Sequence, residues 1–528
     1  MGLILPDTRE PAALAPFLFL EAAMLEKYIV TELGCLPKDG LTGRRKIKTV
    51  VPEITAANVT DVLQAALSVH SANAAEVSYL WDYYRGRQDI RLKEKYVREN
   101  INNIVTVNRA NEIVTFKTAY LLNEPIRYVS TGGNDSLNKR VSQLNEFMRA
   151  EDKEPKDKEI VDWMHICGVA PRLVLTDDMA GNEDGAPFCV YTLDPRDAFV
   201  IYSAAIGEKP LAGVIIQKDE NSEYVYTVYT KDRRFVVYKD HVTEDAHILG
   251  MVPLVEYINN SARMGSFEAV ISILNNINML ESSAVDSVQD FVNGFDVFQN
   301  CDIDDGTYSS LTIGGKAVKI KTVTQGMEAR VYRVASELNQ SGVQQRVDDL
   351  TDAYLTICGM PNRNGGSSTS DTGQAVIFRD GWSEAESRAK DTEKLFIRSE
   401  REFLRLVLNI CKTQAGLDLE LKDIGLNFTR KSLNNMQSKF QCMCEGLANN
   451  KIHPEMVYTA FGDIFGDTNL AYQRGMEWYE EQRADEERRM NESLEREREA
   501  IAAKGNNGNA PGDDDDGGED EDKGGEGK

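Results

Sequence analysis

Apolar side chains take up a helical rhythm near Thr60 and keep it to Tyr84, where Gly86 marks a stop. A second helix is predicted from Tyr96 to Leu122. Ile101, Ile104, Val105, Ile113, Phe116 and Tyr120 lie near helical spacing there, and Pro125 closes the segment. Between Phe188 and Ile248 the rhythm changes to strands. Phe188–Tyr191, Ala198–Tyr202, Val214–Ile216, Tyr224–Tyr229 and Phe235–Tyr238 are rich in β-branched and aromatic residues, and polar turns separate them. That texture predicts an antiparallel meander rather than alternating βαβ units.

The clearest period runs from Gly265 to Phe295, where Phe267, Val270, Leu274, Ile277, Leu280, Ala284, Val288, Phe291 and Phe295 recur every three or four residues. A helix of that span would be about 46 Å long. Its opposite face carries Asn275, Asn276, Ser282, Asp286, Gln289 and Asn293, with almost no Lys or Arg. A β-rich insert follows from Phe298 to Val334, with a hairpin expected at Leu311–Gly315. A helix from Ser336 to Cys358 comes next, with Val343, Val347, Leu350, Tyr354 and Ile357 as its apolar stripe. Met360-Pro361 ends it, and the residues Asn362 to Ser370 read as a loop. Asp371 or Thr372 would cap a helix reaching Gln414 and bent at Gly381. Further helices reach about Lys504, the last of them a charge run from Glu480 to Glu499 with opposite signs at i,i+4. The first fifty residues, mixing prolines, glycines and the basic run Arg44–Lys48, read as an irregular arm. The fold class expected is α+β and mostly helical.

Charge narrows the function. The chain carries -25 at neutral pH, and nine acids against two lysines between Gly505 and Lys528 leave the body at about -18. A surface built to grip phosphate is basic, because affinity comes from Lys and Arg releasing counterions. Tight DNA binding over the whole surface is therefore not expected. The Gly/Asp/Glu tail reads as disordered by composition. Eight cysteines are scattered without metal or disulfide spacing, and they read as buried thiols of a protein made in a reducing cytoplasm. The apolar stretch Ala12–Leu25 is broken by Pro16 and Glu21, lacks a basic start and is too short to span a bilayer.

Motifs for chemistry are missing. The sequence has no G-x-x-x-x-G-K-[ST], no G-x-G-x-x-G, no G-x-S-x-G and no H-E-x-x-H, and its five histidines are not clustered at ligand spacing. No cofactor or metal is expected. Asp348 and Asp352 share one helix face beside Asp349; a solvated face explains them better than acid–base work.

Three local words stand in order along this plan. The first is Tyr83-Tyr84-Arg85-Gly86-Arg87-Gln88-Asp89-Ile90. Ala119-Tyr120-Leu121-Leu122-Asn123-Glu124-Pro125-Ile126 follows after Asn102, Asn103 and Asn108, with Asn123 where a glycine is usual. The third is Ser370-Asp371-Thr372-Gly373-Gln374-Ala375. With the helix–insert–helix–loop–helix order, the chain resembles the siphovirus-type portal family of tailed bacteriophages from about Ala74 to Gln414.

The resemblance implies a wing at 51–260, stem helices at 261–297 and 336–359, and a clip at 298–335. It also implies a tunnel loop at 360–373, a long wing helix at 374–422, a helical crown at 423–504 and a tail from 505. It implies a ring, probably of twelve copies, at one capsid vertex, through which double-stranded DNA is packaged and ejected. The implied partners are the large terminase motor, a head-completion or adaptor protein, and the major capsid and scaffolding proteins, with no membrane. The tunnel loop would be Asn362, Arg363, Asn364, Gly365, Gly366, Ser367, Ser368, Thr369 and Ser370. Lys316, Lys319 and Lys321 of the clip would dock partners, and Asp348, Asp349 and Asp352 would line the channel. The polar face of the first stem helix would do so too, since a wall poor in cations lets DNA slide.

Each part has a plainer reading. An apolar stripe is usually core, a Gly/Ser loop is usually a linker, and Tyr-rich strands usually pack a sheet. A scaffolding head protein would share the helices and acidity without conducting DNA, and a hydrolase using the Asp348/Asp352 face is a third class.

Overall fold

The computed structural model describes residues 29–30, 41, 43–95, 99–131, 135–176, 185–292, 295–302, 321–322, 328, 330–334, 340–362, 381–428, 436–449, 452–460 and 468–505. The chain forms two compact units, residues 1–451 and 452–528.

Period-two alternation builds the layers of the first unit. Strands β6 (Ala198–Ser203), β7 (Pro210–Lys218), β8 (Tyr224–Tyr229) and β9 (Arg233–Val237) follow one another antiparallel as expected and β10 (Val242–Ala246) extends them, whereas Phe188–Tyr191, expected in the same meander, pairs in a different sheet. The β6 sheet gains two strands that were not foreseen: β1 (Ile29–Val30) and β2 (Ile47–Thr49), the latter running parallel to β6. Part of the basic run read as an irregular arm is therefore a sheet strand. On β6, Phe199 and Ile201 bury against helix α1 (Val59–Tyr84), while Ala198 and Val200 face a second sheet.

That second sheet has the order β11-β4-β5, from β4 (Val169–Thr176), β5 (Phe188–Thr192) and β11 (Leu254–Ile258). Leu173 of β4 and Leu254 of β11 pack against the first sheet. Ala170, Val174, Val255 and Tyr257 point the other way, into helices α3 (Asp135–Ala150), α4 (Lys153–Cys167) and α7 (Trp382–Gln414). The sheets approach closely at Gly213 of β7, where an added Cβ would lie 2.4 Å from the Cβ of Leu254.

A charge-balanced network is sealed under α7. Glu400, fully buried, pairs with Lys153 at 2.9 Å and Arg172 at 3.6 Å and accepts hydrogen bonds from the Tyr128 and Tyr257 hydroxyls. Asp157 pairs with Lys153 and with Arg172, each at 2.6 Å. Two cations and two carboxylates thus meet with their polar atoms mostly satisfied, which is the condition under which buried charge is tolerated.

Three helix boundaries differ from expectation. Residues 99–100 form a turn and 101–107 run on without helix, and helix α2 spans Arg109–Leu121 only, capped by the Asn108 side chain. Helix α7 has its N-cap at Gly381, where a bend was expected; the cap expected at Asp371 or Thr372 lies outside the described residues. Gly381 has φ +82°, a left-handed conformation no helix interior holds. After α7, β16 (Ile424–Asn427) returns to pair with β3 (Arg127–Ser130), so a stretch expected to be helical forms a strand in the first unit, followed by helix α8 (Met436–Ala448).

The second unit contains α9 (Pro454–Ala460) and α10 (Thr468–Gly505), joined by edge-on packing of Tyr458 and Tyr472. No described helix is long and apolar enough to cross a membrane.

Candidate functional site

Helix α5 (Ile271–Val292) and helix α6 (Gln340–Cys358) flank the β insert, as the pattern predicts, although α5 is about 33 Å rather than 46 Å long. It ends because the chain turns into strand β12 (Phe295–Gln299), which pairs with β15 (Arg330–Val334). A shorter ladder joins β13 (Cys301–Asp302) to β14 (Lys321–Thr322). Leu274 and Ile277 of α5 and Val347, Tyr354 and Leu355 of α6 share one core with Val77, Leu80 and Tyr83 of α1 and Ile113 of α2. Ile357, expected in the stripe, is 46% exposed, and Leu355 takes its place inside.

The polar face of α5 is not free. Asn278 and Ser282 are fully buried and Asp286 nearly so. They accept the backbone N–H groups of the extended segment that was expected to be helix: Val107 on Asn278 at 2.8 Å, Val105 on Ser282 at 3.0 Å and Asn103 on Asp286 at 2.7 Å. The match is metric. Four helical residues rise about 6 Å and two extended residues about 6.6 Å, so side chains at i, i+4 and i+8 meet every second amide of an antiparallel strap.

Lys93 locks the end, 2.7 Å from Asp286, with Lys95 at 3.5 Å. Burial raises the Asp286 pKa, but the hydrogen bonds from Lys93 and Asn103 outweigh it and hold the carboxyl at about 2. The same face is gripped further along by the first of the three local words. The Tyr83 hydroxyl donates to Asn275, Asn275 donates to Asp89, and Asn278 donates to Gln88. The polar stripe expected to line a channel is therefore used inside the subunit. Asn276 is exposed; Asn293 lies outside the described residues.

The α6 acids are placed differently. Asp348, Asp349 and Asp352 are all exposed, accompanied by Gln344, Arg346 and Asn362. Among the described residues no group of His, Cys, Asp and Glu is arranged to hold a metal ion. On α5, Met279, Val285 and Val288 remain about two-fifths exposed.

Of the expected loop, Asn362 alone is described; Arg363, Asn364, Gly365, Gly366, Ser367, Ser368, Thr369 and Ser370 lie outside the described residues. So do Lys316 and Lys319 and the hairpin at 311–315. Lys321 sits in β14, on the two-stranded ladder of the insert.

The sequence from 66 to 459 matches the family described as phage portal protein, SPP1 Gp6-like. That is most of the chain. The chain belongs to the phage portal protein family. A search of curated proteins finds no match. Membership makes the chain a bacteriophage virion protein of genome packaging, in a family that is structural rather than enzymatic and works as an oligomeric ring with capsid and packaging partners. The mixed α+β architecture agrees with it.

The residues that sequence reasoning missed are those of the strap. Ser282 and Asp286 stood on the expected polar face, but Asn278 was not among its residues and nothing marked Asn103 to Val107 as their partner.

Proposed function

We propose that this portal subunit forms a closed ring, twelve-membered in the virion, whose hole conducts double-stranded DNA during packaging and ejection. In this reading residues 51–260 and α7 make the wing, α5 and α6 the stem, and 298–335 the clip. Residues 360–373 are the tunnel loop, with Asn362 to Ser370 at the constriction. The helices nearer the C-terminus make the crown. The clip, through Lys316, Lys319 and Lys321, docks the terminase motor and later the head-completion protein.

The observation that carries this reading is the exposed acidic face of α6. Asp348, Asp349 and Asp352 project to solvent while Asn278, Ser282 and Asp286 of α5 are consumed internally. Repeated around a ring, three carboxylates per subunit make a wall that DNA phosphates do not grip, and weak contacts are what a sliding polyanion needs. The apolar side chains left on α5, Met279, Val285 and Val288, supply area for the neighbouring subunit. No nucleotide-binding motif is in the sequence, so the motor does the work and the ring supplies the path.

The test is a charge swap. Asp348→Lys, Asp349→Lys and Asp352→Lys together place three phosphate-binding cations per subunit on the wall. The expected result is normal ring yield with DNA per head sharply reduced in a complementation assay. Normal packaging by this variant removes α6 from the channel.

A further inference from the structure

Helix α7 has a buried side and a charged side. Phe396, Phe403, Leu404, Val407 and Cys411 sink into the core it shares with β4 and β11. The Ser399 hydroxyl donates to the Glu256 carbonyl and the Asn409 amide to the Leu249 carbonyl, each at 2.8 Å. Whatever the outer side presents is therefore held on a rigid element.

That outer side is cationic. Lys394, Arg398, Arg401 and Arg405 stand at i, i+4, i+7 and i+11, which puts them on one helix face, and all four are exposed. A run of charges is usually a solvated face with its signs balanced, and the start of α7 is of that kind. Glu384 pairs with Arg388 at 2.7 Å, Glu386 with Lys390 at 3.5 Å and Asp391 with Lys394 at 2.8 Å.

Beyond Lys394 the balance fails. Glu400 is buried with its own cations on the inner side. Glu402 is half-buried, and burial raises its pKa against the pull of Arg398 and Arg405. Among the described residues no carboxylate forms an ion pair with Arg398, Arg401 or Arg405. In a chain of net charge -25, three rigidly mounted guanidinium groups thus face solvent without counter-charge.

We propose that the Arg398, Arg401 and Arg405 face of α7 binds the phosphate backbone of double-stranded DNA, outside the channel and without regard to sequence. The planar guanidinium fork matches a phosphate, and its charge persists at any working pH. From Lys394 to Arg405 the helix rises about 16 Å, over which one strand of a duplex presents about five phosphates. The same charges would attract an acidic protein, but a protein interface needs an apolar centre, and α7 has no exposed large apolar side chain. A wet, positive and apolar-free face is the character of a nucleic-acid contact. Membership in a genome-packaging family supplies the duplex. The contact is a grip for DNA at rest against the protein, and it does not depend on the acidic face of α6.

The test uses the full chain and a covalently closed circular duplex. A closed circle cannot thread a ring, so its binding reads the outer surface and leaves the channel reading untouched. At about 50 mM salt the wild type should retard the circle in a gel, and binding should weaken as salt rises. Arg398→Gln, Arg401→Gln and Arg405→Gln together should lower the affinity at least roughly tenfold and flatten the slope of log K against log salt by about 2.7. The three Arg→Lys changes should keep most of both. Ring yield and Tm should stay unchanged in either variant, because all three side chains are exposed. Failure of the wild type to bind the circle overturns the proposal, as does equal binding by the glutamine variant. Polyglutamate that displaces the circle as well as linear duplex does, charge for charge, would assign the face to an acidic protein instead. Loss of rings in the glutamine variant would assign it to the neighbouring subunit.

Discussion

The Asp286 carboxylate accepts both the backbone N–H of Asn103, at 2.7 Å, and its side-chain amide, at 2.8 Å, so one side chain of α5 fixes the register of a strap 183 residues away in sequence. Asp286→Ala removes those acceptors and strands Lys93, which is 8% exposed. The expected cost is about 2–4 kcal/mol. Hydrogen exchange reads it: the amides of Asn103, Val105 and Val107 should lose protection together, while those of β6 and β7 keep theirs.

The same carboxyl has a pH signature. Its pKa of about 2 in the fold lies below the usual aspartate value near 3.9, so its stabilisation is complete above about pH 4 and is lost as pH falls towards 2. Wild type should lose stability over that window more steeply than Asp286→Ala. Equal slopes in acid titrations followed by circular dichroism would show that the pairing contributes nothing.

Glu400→Ala leaves Lys153 and Arg172 sharing one carboxylate, Asp157, in a sealed site. The expected loss is about 3–5 kcal/mol, measured as a fall in the urea midpoint. Lys153→Met with Glu400→Gln restores charge balance and keeps an acceptor oxygen for one of the two tyrosines, the other hydroxyl accepting from the amide NH2. That double variant should recover most of the loss. A double variant no better than Glu400→Ala alone would mean that packing, not charge, dominates there.

Gly213→Ala should destabilise the first unit by about 1–3 kcal/mol, because the new Cβ would sit 2.4 Å from the Leu254 Cβ and force the two sheets apart. On a Leu254→Ala background, which retains that Cβ, Gly213→Ala should still destabilise; on a Leu254→Gly background it should cost little. Thermal unfolding of wild type, the three single variants and the two double variants decides the matter.

Thiol labelling separates inside from outside. Cys442 and Cys444 are exposed, whereas Cys167, Cys189, Cys358 and Cys411 are buried. Burial also pushes the thiols of Cys167 and Cys411 up to about 12 and that of Cys358 to about 11. Peptide mass mapping after brief iodoacetamide treatment should find Cys442 and Cys444 modified and those four intact until denaturant is added. Labelling of Cys167 in the folded chain would contradict the packing of α4.

Period was the legible part. The meander from Ala198 to Val237 was readable because alternate side chains serve two different cores, and α1 because Gly86 follows its apolar stripe at once. The strap was not. Ile101, Ile104 and Val105 imitate helical spacing, yet their conformation is set by three side chains of α5, a tertiary choice that local rhythm cannot carry. Polar side chains facing one way read as a solvent or channel face for the same reason: the sequence shows amphipathicity and not what covers it. The acidic face of α6, with Asp348, Asp349 and Asp352 outward, was readable as a solvated stripe.

In the proposed ring α6 walls the hole, and electron cryomicroscopy of the purified full chain is the deciding measurement. A closed ring of about twelve subunits is expected, with Asp348, Asp349 and Asp352 facing the axial hole and Met279, Val285 and Val288 covered by the adjacent subunit. A compact monomer, or a ring in which those three aspartates lie on the outer rim, would contradict it.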